Sequence, residues 1–182
     1  RNGTKQDENM LQGEKTGSIM QTSAYYNDDI DFDELVFSQP LNSEPLGKRD
    51  EGTSIGSYWQ NKVAVDLAAL GCKVLMLDPN GDGKKYGRKK NCSPDYLTED
   101  ILPIECYTPL AKTNVKNIVR EMAEKTRNQA RSIILVTEVY EGDVAELVNA
   151  IKRKANPQGD LKDLRNLILY KDGKFINMLR RK

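Results

Sequence analysis

A chain of 182 residues, 38% hydrophobic and 30% charged, with a formal net charge of +1, has the balance of one polar globular core with a short appendage. It contains no histidine. That excludes Ser-His-Asp and Cys-His hydrolysis and any ribonuclease mechanism built on an imidazole pair, leaving carboxylates, Lys, Tyr, Thr or an oxygen-held metal.

The charge is divided along the chain. Residues 1–50 carry 5 Lys and Arg against 10 Asp and Glu, and the remainder carries 23 against 17. An acidic front therefore precedes a basic back, the kind of surface that phosphate binding needs. No apolar run reaches the ~18 residues of a membrane span, so no stable membrane association is expected of this fragment. Arg1 is not an initiator residue, and the chain reads as a piece of a longer protein. Cys72, Cys92 and Cys106 are odd in number and contain no close CxxC pair, which points to buried thiols rather than a disulfide framework or a structural zinc site.

Residues 1–55 are rich in Gly, Ser, Asn, Gln and Asp and read as a polar acidic linker or partly ordered extension. Within them, residues 28–36 alternate carboxylates with Ile30, Phe32, Leu35 and Val36, a pattern that could dock on another surface. Residues 56–182 read as the folded domain. A helix begins near Trp59, with Val63, Leu67 and Leu70 as its apolar stripe and Gly71 as its stop. Residues 73–77 predict a strand, and 78–92 a turn-rich basic loop. Short strands follow at 96–97 and 103–107. Val115, Ile118, Val119 and Met122 predict an amphipathic helix over 115–125. Residues 132–137, SIILVT, predict a buried central strand. Asp143 caps a helix to residue 154. A hairpin closes the chain, its strands at 164–170 and 175–179 joined by a turn built on Asp172-Gly173. The order α-β-β-β-α-β-α-β-β predicts an α/β (α+β) fold with a mixed central sheet and flanking helices.

The chemistry points to Asp95, after Pro94, and Glu105. Adjacent strands lie ~4.8 Å apart, so an acid opening one strand and an acid on the next can converge on one ion or one water. This is the acid arrangement of PD-(D/E)xK nucleases, whose acids hold a divalent cation and whose Lys two residues later helps to activate water. Tyr107 stands at that Lys position here. Lys84, Lys85, Arg88, Lys89 and Lys90, interleaved with Tyr86, precede the first acid and are candidate phosphate contacts, with Arg131 as another.

The strings NCSPDYL over 91–97 and IECYTP over 104–109, the helix that follows, Gln129 and Arg131 leading into SIILVT, and YKDGKFI over 170–176 together resemble the C-terminal tRNase domains of CdiA-type contact-dependent growth inhibition proteins. QNKVAVDLAALGCKV over 60–74 resembles their upstream helix. The resemblance spans about residues 57–180. It implies an RNA endonuclease toxin, delivered as part of a larger secreted or cell-surface protein into the cytoplasm of a target bacterium and blocked by a cognate immunity protein, with tRNA as substrate. It implies a PD-(D/E)xK-like αβββαβ core, or alternatively a barnase/EndoU/colicin/RelE-like one. Asp95 and Glu105 match the two acids, Tyr107 the family's own Tyr, and Asn61 its helix Asn. Gln60 falls where a Glu is expected, and an amide cannot take up a proton. Tyr107, Thr108 or Lys112 would act as proton donor or oxyanion partner. Asp95 and Glu105 would hold Mg or Zn if the reaction is metal-dependent. The alternatives are a metal-dependent DNA endonuclease of restriction-like class and a non-catalytic binding module of a phage or mobile element.

Overall fold

A computed structural model describes residues 43–99, 101 and 103–181; the acidic stretch 28–36 lies outside them. Among the described residues three helices, α1 (Ile55–Ala69), α2 (Val115–Asn128) and α3 (Val144–Lys154), accompany seven strands. These are β1 (Leu46–Gly47), β2 (Val74–Met76), β3 (Tyr96–Thr98), β4 (Glu105–Tyr107), β5 (Ser132–Val136), β6 (Asn166–Lys171) and β7 (Lys174–Arg180). The run α1-β2-β3-β4-α2-β5 repeats the expected αβββαβ order.

Each helix begins at a short polar side chain. Ser54 accepts the Ser57 N–H, Asn114 the Asn117 N–H and Asp143 the Glu146 N–H, each satisfying one donor that the first turn leaves open. β5 is buried along its whole length and lies between parallel partners, which is why its sequence is continuously apolar. Its side chains alternate between two cores. Ile134 and Val136 pack with Val63, Ala64 and Leu67 of α1, while Ile133 and Leu135 pack with Ile118 and Met122 of α2 and Leu147 and Ile151 of α3. The molecule is therefore layered, with α1 on one face of the sheet and α2 and α3 on the other. In the closing hairpin Asp172 has φ 52 and Gly173 φ 75, the two positive values that a tight primed turn requires.

One feature departs from the expectation. The single central sheet is two mixed sheets, β1-β2-β3 and β4-β5-β6-β7, joined by one antiparallel bridge between Tyr96 and Ile104. The ladder cannot continue past that bridge because Pro94 has no N–H to give, and the Cys106 N–H is taken at 2.8 Å by the Asp95 carboxylate. The end of the amino-terminal extension meets the domain. Leu46–Gly47 pairs in parallel with β2, and Lys48 N–H continues the contact to the Met76 carbonyl at 3.1 Å, so residues 43–52 are laid against the domain.

Candidate active site

The gap between the two sheets is where the acids meet. Asp95 stands just before β3, and its carbonyl accepts the Leu77 N–H at 3.0 Å. Glu105 opens β4. The bridge between Tyr96 and Ile104 places these two residues opposite each other at the next step of an antiparallel pair, with side chains on the same face. The sequence spacing anticipated this convergence.

The third member is Lys125, which sequence reasoning passed over. Its Nζ lies 3.2 Å from Glu105 Oε2. Glu105 is only 3% exposed, and its Oε1 is buried with no hydrogen-bond partner among the described residues. Burial, then the Asp95 charge, raises the Glu105 pKa well above the ordinary carboxylate range, against the pull of Lys125. Burial also raises Asp95, to about 6, against the Cys106 N–H bond, Lys125 and the hydrogen bond to Glu105, with Asp50 adding to the rise. Two buried carboxyls this close each disfavour the other's charged form. Lys125 stays charged: burial works to lower its pKa, but the charges of Glu105 and Asp95 raise it. Its ammonium also lies 5.4 Å from the centroid of the Tyr107 ring.

The other expected residues divide. Tyr107 is a floor for Lys125, and its hydroxyl is raised to about 12 by burial and by Glu121, against Lys125. Thr108 lies one residue on, its Oγ1 buried with no hydrogen-bond partner among the described residues. Gln60, in the first turns of α1, accepts the Tyr96 hydroxyl on its main-chain carbonyl. With Lys48, Asp50, Leu77 and Asp78 it lines a cleft of about 230 Å³. Lys112 is not brought to the acids; it is 90% exposed and pairs with Glu141 at 3.0 Å. Arg131 precedes β5, its carbonyl taking the N–H groups of Arg165 and Asn166.

The basic loop is tied down by Arg88. Its Nη1 donates to the Thr126 carbonyl at 2.6 Å and lies 3.6 Å from Asp163 Oδ1. The main-chain N–H groups of Arg88 and Lys89 reach the Gln129 and Asn128 carbonyls. The loop is thereby held to the carboxyl end of α2, one turn beyond Lys125. Lys84, Lys85, Lys89 and Lys90 remain exposed. Arg88 serves the loop's own structure, whereas the four lysines extend from it into solvent.

Metal binding can be tested against these donors. Two carboxylates fit magnesium, which keeps waters and takes one or two protein acids. Zinc draws on imidazole and thiolate, but the chain has no histidine and burial raises the Cys106 thiol far above its ordinary value. Among the described residues no group of three or more His, Cys, Asp or Glu gathers to hold a metal.

Residues 91–175 match the family described as the contact-dependent growth inhibition CdiA C-terminal domain. The matched segment contains Asp95, Glu105 and Lys125 but not α1. Among solved structures, the chain is similar to the CdiA-CT/CdiI toxin and immunity complex from Burkholderia pseudomallei, at 20% identity and a TM-score of 0.51, over 74% of this chain and 98% of that one. No curated protein matches the chain.

Proposed function

We propose, from the match of residues 91–175 to the contact-dependent growth inhibition CdiA C-terminal domain family, that this chain is the toxic end of a larger delivered protein and cleaves RNA, with tRNA as its substrate, in the cytoplasm of a target bacterium. The observation that carries the reading is the Asp95–Glu105 pair facing Lys125, beside a loop of exposed lysines on the same helix end.

The lysines of the 84–90 loop would hold the phosphate backbone. Asp95 and Glu105 would orient the attacking hydroxyl of water or of a ribose. Lys125, fixed by Glu105 and by the Tyr107 ring, would meet the negative charge that develops on the phosphoryl oxygens, and its low-dielectric surroundings strengthen that attraction. A magnesium ion bound by Asp95 and Glu105 would polarise the same phosphoryl group. The partner that neutralises such a domain would be an immunity protein with an acidic face.

The test is incubation of the chain with total RNA, with and without chelator, with duplex DNA in parallel. Discrete products in the tRNA band that disappear in Asp95→Asn support the reading. Cleavage of DNA alone points to a restriction-like enzyme, and no carboxylate-dependent cleavage at all points to a binding module.

A further inference from the structure

A groove of about 590 Å³ runs between α2 and α3, on the side of the sheet away from α1. Its floor is apolar, made by Val115, Val119 and Ala123 of α2 and Ala150 of α3. Its rim is cationic and exposed, with Lys116, Arg120 and Arg127 on α2 and Arg153 on α3. Lys154 also lines it, paired with Asp160 at 3.3 Å. Among the described residues no acid pairs with Lys116, Arg120, Arg127 or Arg153.

Helix stability does not account for all of these charges. Arg127 and Arg153 suit the carboxyl ends of their helices. Lys116 stands in the first turn of α2, which holds no acid and where the helix dipole disfavours a cation. Arg120 follows it at the helical spacing at which like charges repel. The groove thus gathers positive charge around an apolar floor. A phosphate backbone would answer the rim but leave the floor without a partner. A peptide in which carboxylates alternate with apolar side chains answers both.

The chain contains such a peptide. Residues 28–36, DDIDFDELV, set five carboxylates among Ile30, Phe32, Leu35 and Val36. They lie outside the described residues, but the point from which they lead is described. The Ser43 hydroxyl donates to the Ala68 carbonyl at 3.4 Å, three residues before β1. Strands β1, β2, β4, β5 and β6 all run in one direction. α2 and α3 each return from the end of one of these strands to the start of the next, so both helices end where the strands begin. Ser43 stands at that same end of the molecule. From β1 to β5 is four strand spacings, about 19 Å. The seven steps from Val36 to Ser43 span up to about 24 Å when extended.

We propose that residues 28–36 dock in the groove between α2 and α3, with their apolar side chains on its floor and their carboxylates on its cationic rim. The acidic front of the chain and its basic back are thereby joined within one molecule. The contact stands whether or not the domain cleaves RNA.

The experiment couples carboxylates to amines in the full chain with a zero-length carbodiimide and maps the links in the monomer. The Lys154–Asp160 pair is a built-in control. Carboxylates of residues 28–34 should couple to Lys116 or Lys154 in preference to Lys84, Lys85, Lys89 and Lys90. Arg120→Glu with Arg127→Glu, both exposed, should cut that coupling at least ~10-fold and leave the control link. Phe32→Ser with Leu35→Ser keeps all five carboxylates and should also cut it at least ~10-fold, because docking needs the floor as well as the rim. A labelled peptide of residues 27–37 should bind this second variant about 10-fold more tightly than the wild type, whose own segment competes at an effective concentration of about a millimolar. Coupling mainly to the loop lysines, or coupling that survives the Arg120 and Arg127 reversal, would overturn the proposal. Links confined to cross-linked dimers would overturn it in favour of a second copy of the chain. A peptide that binds neither form, with bulk tRNA shielding Lys116 from an amine-reactive label, would overturn it in favour of nucleic acid.

Discussion

At the scale of single residues, the consequence of the site geometry is a pH-dependent acid pair. Both carboxyls are raised, Asp95 to about 6 and Glu105 well above its usual range. Stability from a raised acid is fully present below its unfolded pKa and is lost as pH rises through the folded value. Glu105→Gln mimics the protonated acid and does not titrate. Its melting temperature relative to wild type should therefore climb as pH rises from the ordinary carboxylate range through about 6 and above. A difference that stays constant as pH rises would mean that burial does not raise these carboxyls. Lys125 is the cation that compensates this burial. Lys125→Met should cost about 3 kcal/mol in urea unfolding, since it leaves the buried Glu105 carboxyl uncompensated. It should also lower RNA cleavage ~100-fold, as loss of a charge aimed at the transition state does. Stability and activity falling together would match the double role; loss of stability alone would make Lys125 structural only.

At the scale of elements, the 82–92 segment is held by one basic side chain and exposes four others. Arg88 ties the loop to α2 and Asp163, and Arg88→Ala should cost about 1–2 kcal/mol by leaving the Thr126 carbonyl without its charged donor. Lys84, Lys85, Lys89 and Lys90 are exposed, and their side chains are not what anchors the loop. Replacing all four with Gln should leave the melting temperature within a few degrees. It should also weaken tRNA binding and flatten the slope of log affinity against log salt by up to about 3. An unchanged slope would show that the loop faces solvent and not nucleic acid. The hairpin between β6 and β7 offers a control far from the acids. Gly173 has φ +75, and a Cβ added there would meet nothing within 4 Å, so Gly173→Ala should cost about 1 kcal/mol from backbone strain alone and leave cleavage intact.

At the scale of the whole molecule, the acid pair sits at the junction of two sheets while the lysines line the neighbouring helix end. A partner that blocks both must carry negative charge over the loop and reach the cleft. Its association rate should fall about 10-fold between low salt and about 0.5 M salt, because steering between opposite charges is screened over a Debye length. Stopped-flow mixing with the proposed immunity protein would measure this; a rate indifferent to salt would place the interface on an uncharged face of the domain.

Much of the fold was written locally. Helix caps at Ser54, Asn114 and Asp143, the continuous apolar run of β5, and the Asp-Gly turn of the hairpin each depend on neighbours within a few residues, so sequence alone determined the elements from α1 onward and their order. It also determined the meeting of Asp95 and Glu105, because a short antiparallel return makes register a matter of counting. Lys125 and Asp50 were decided only by tertiary structure. Lys125 reads as one more charge on an amphipathic helix until α2 packs on the sheet and turns it toward Glu105. Asp50 reads as part of a polar lead-in until Asn61 clamps it beside the cleft. The split of the sheet was equally illegible, since it depends on a carboxylate taking the Cys106 N–H in place of a backbone carbonyl. Each of these contacts joins residues distant in sequence, and its energy exists only once the layers have docked.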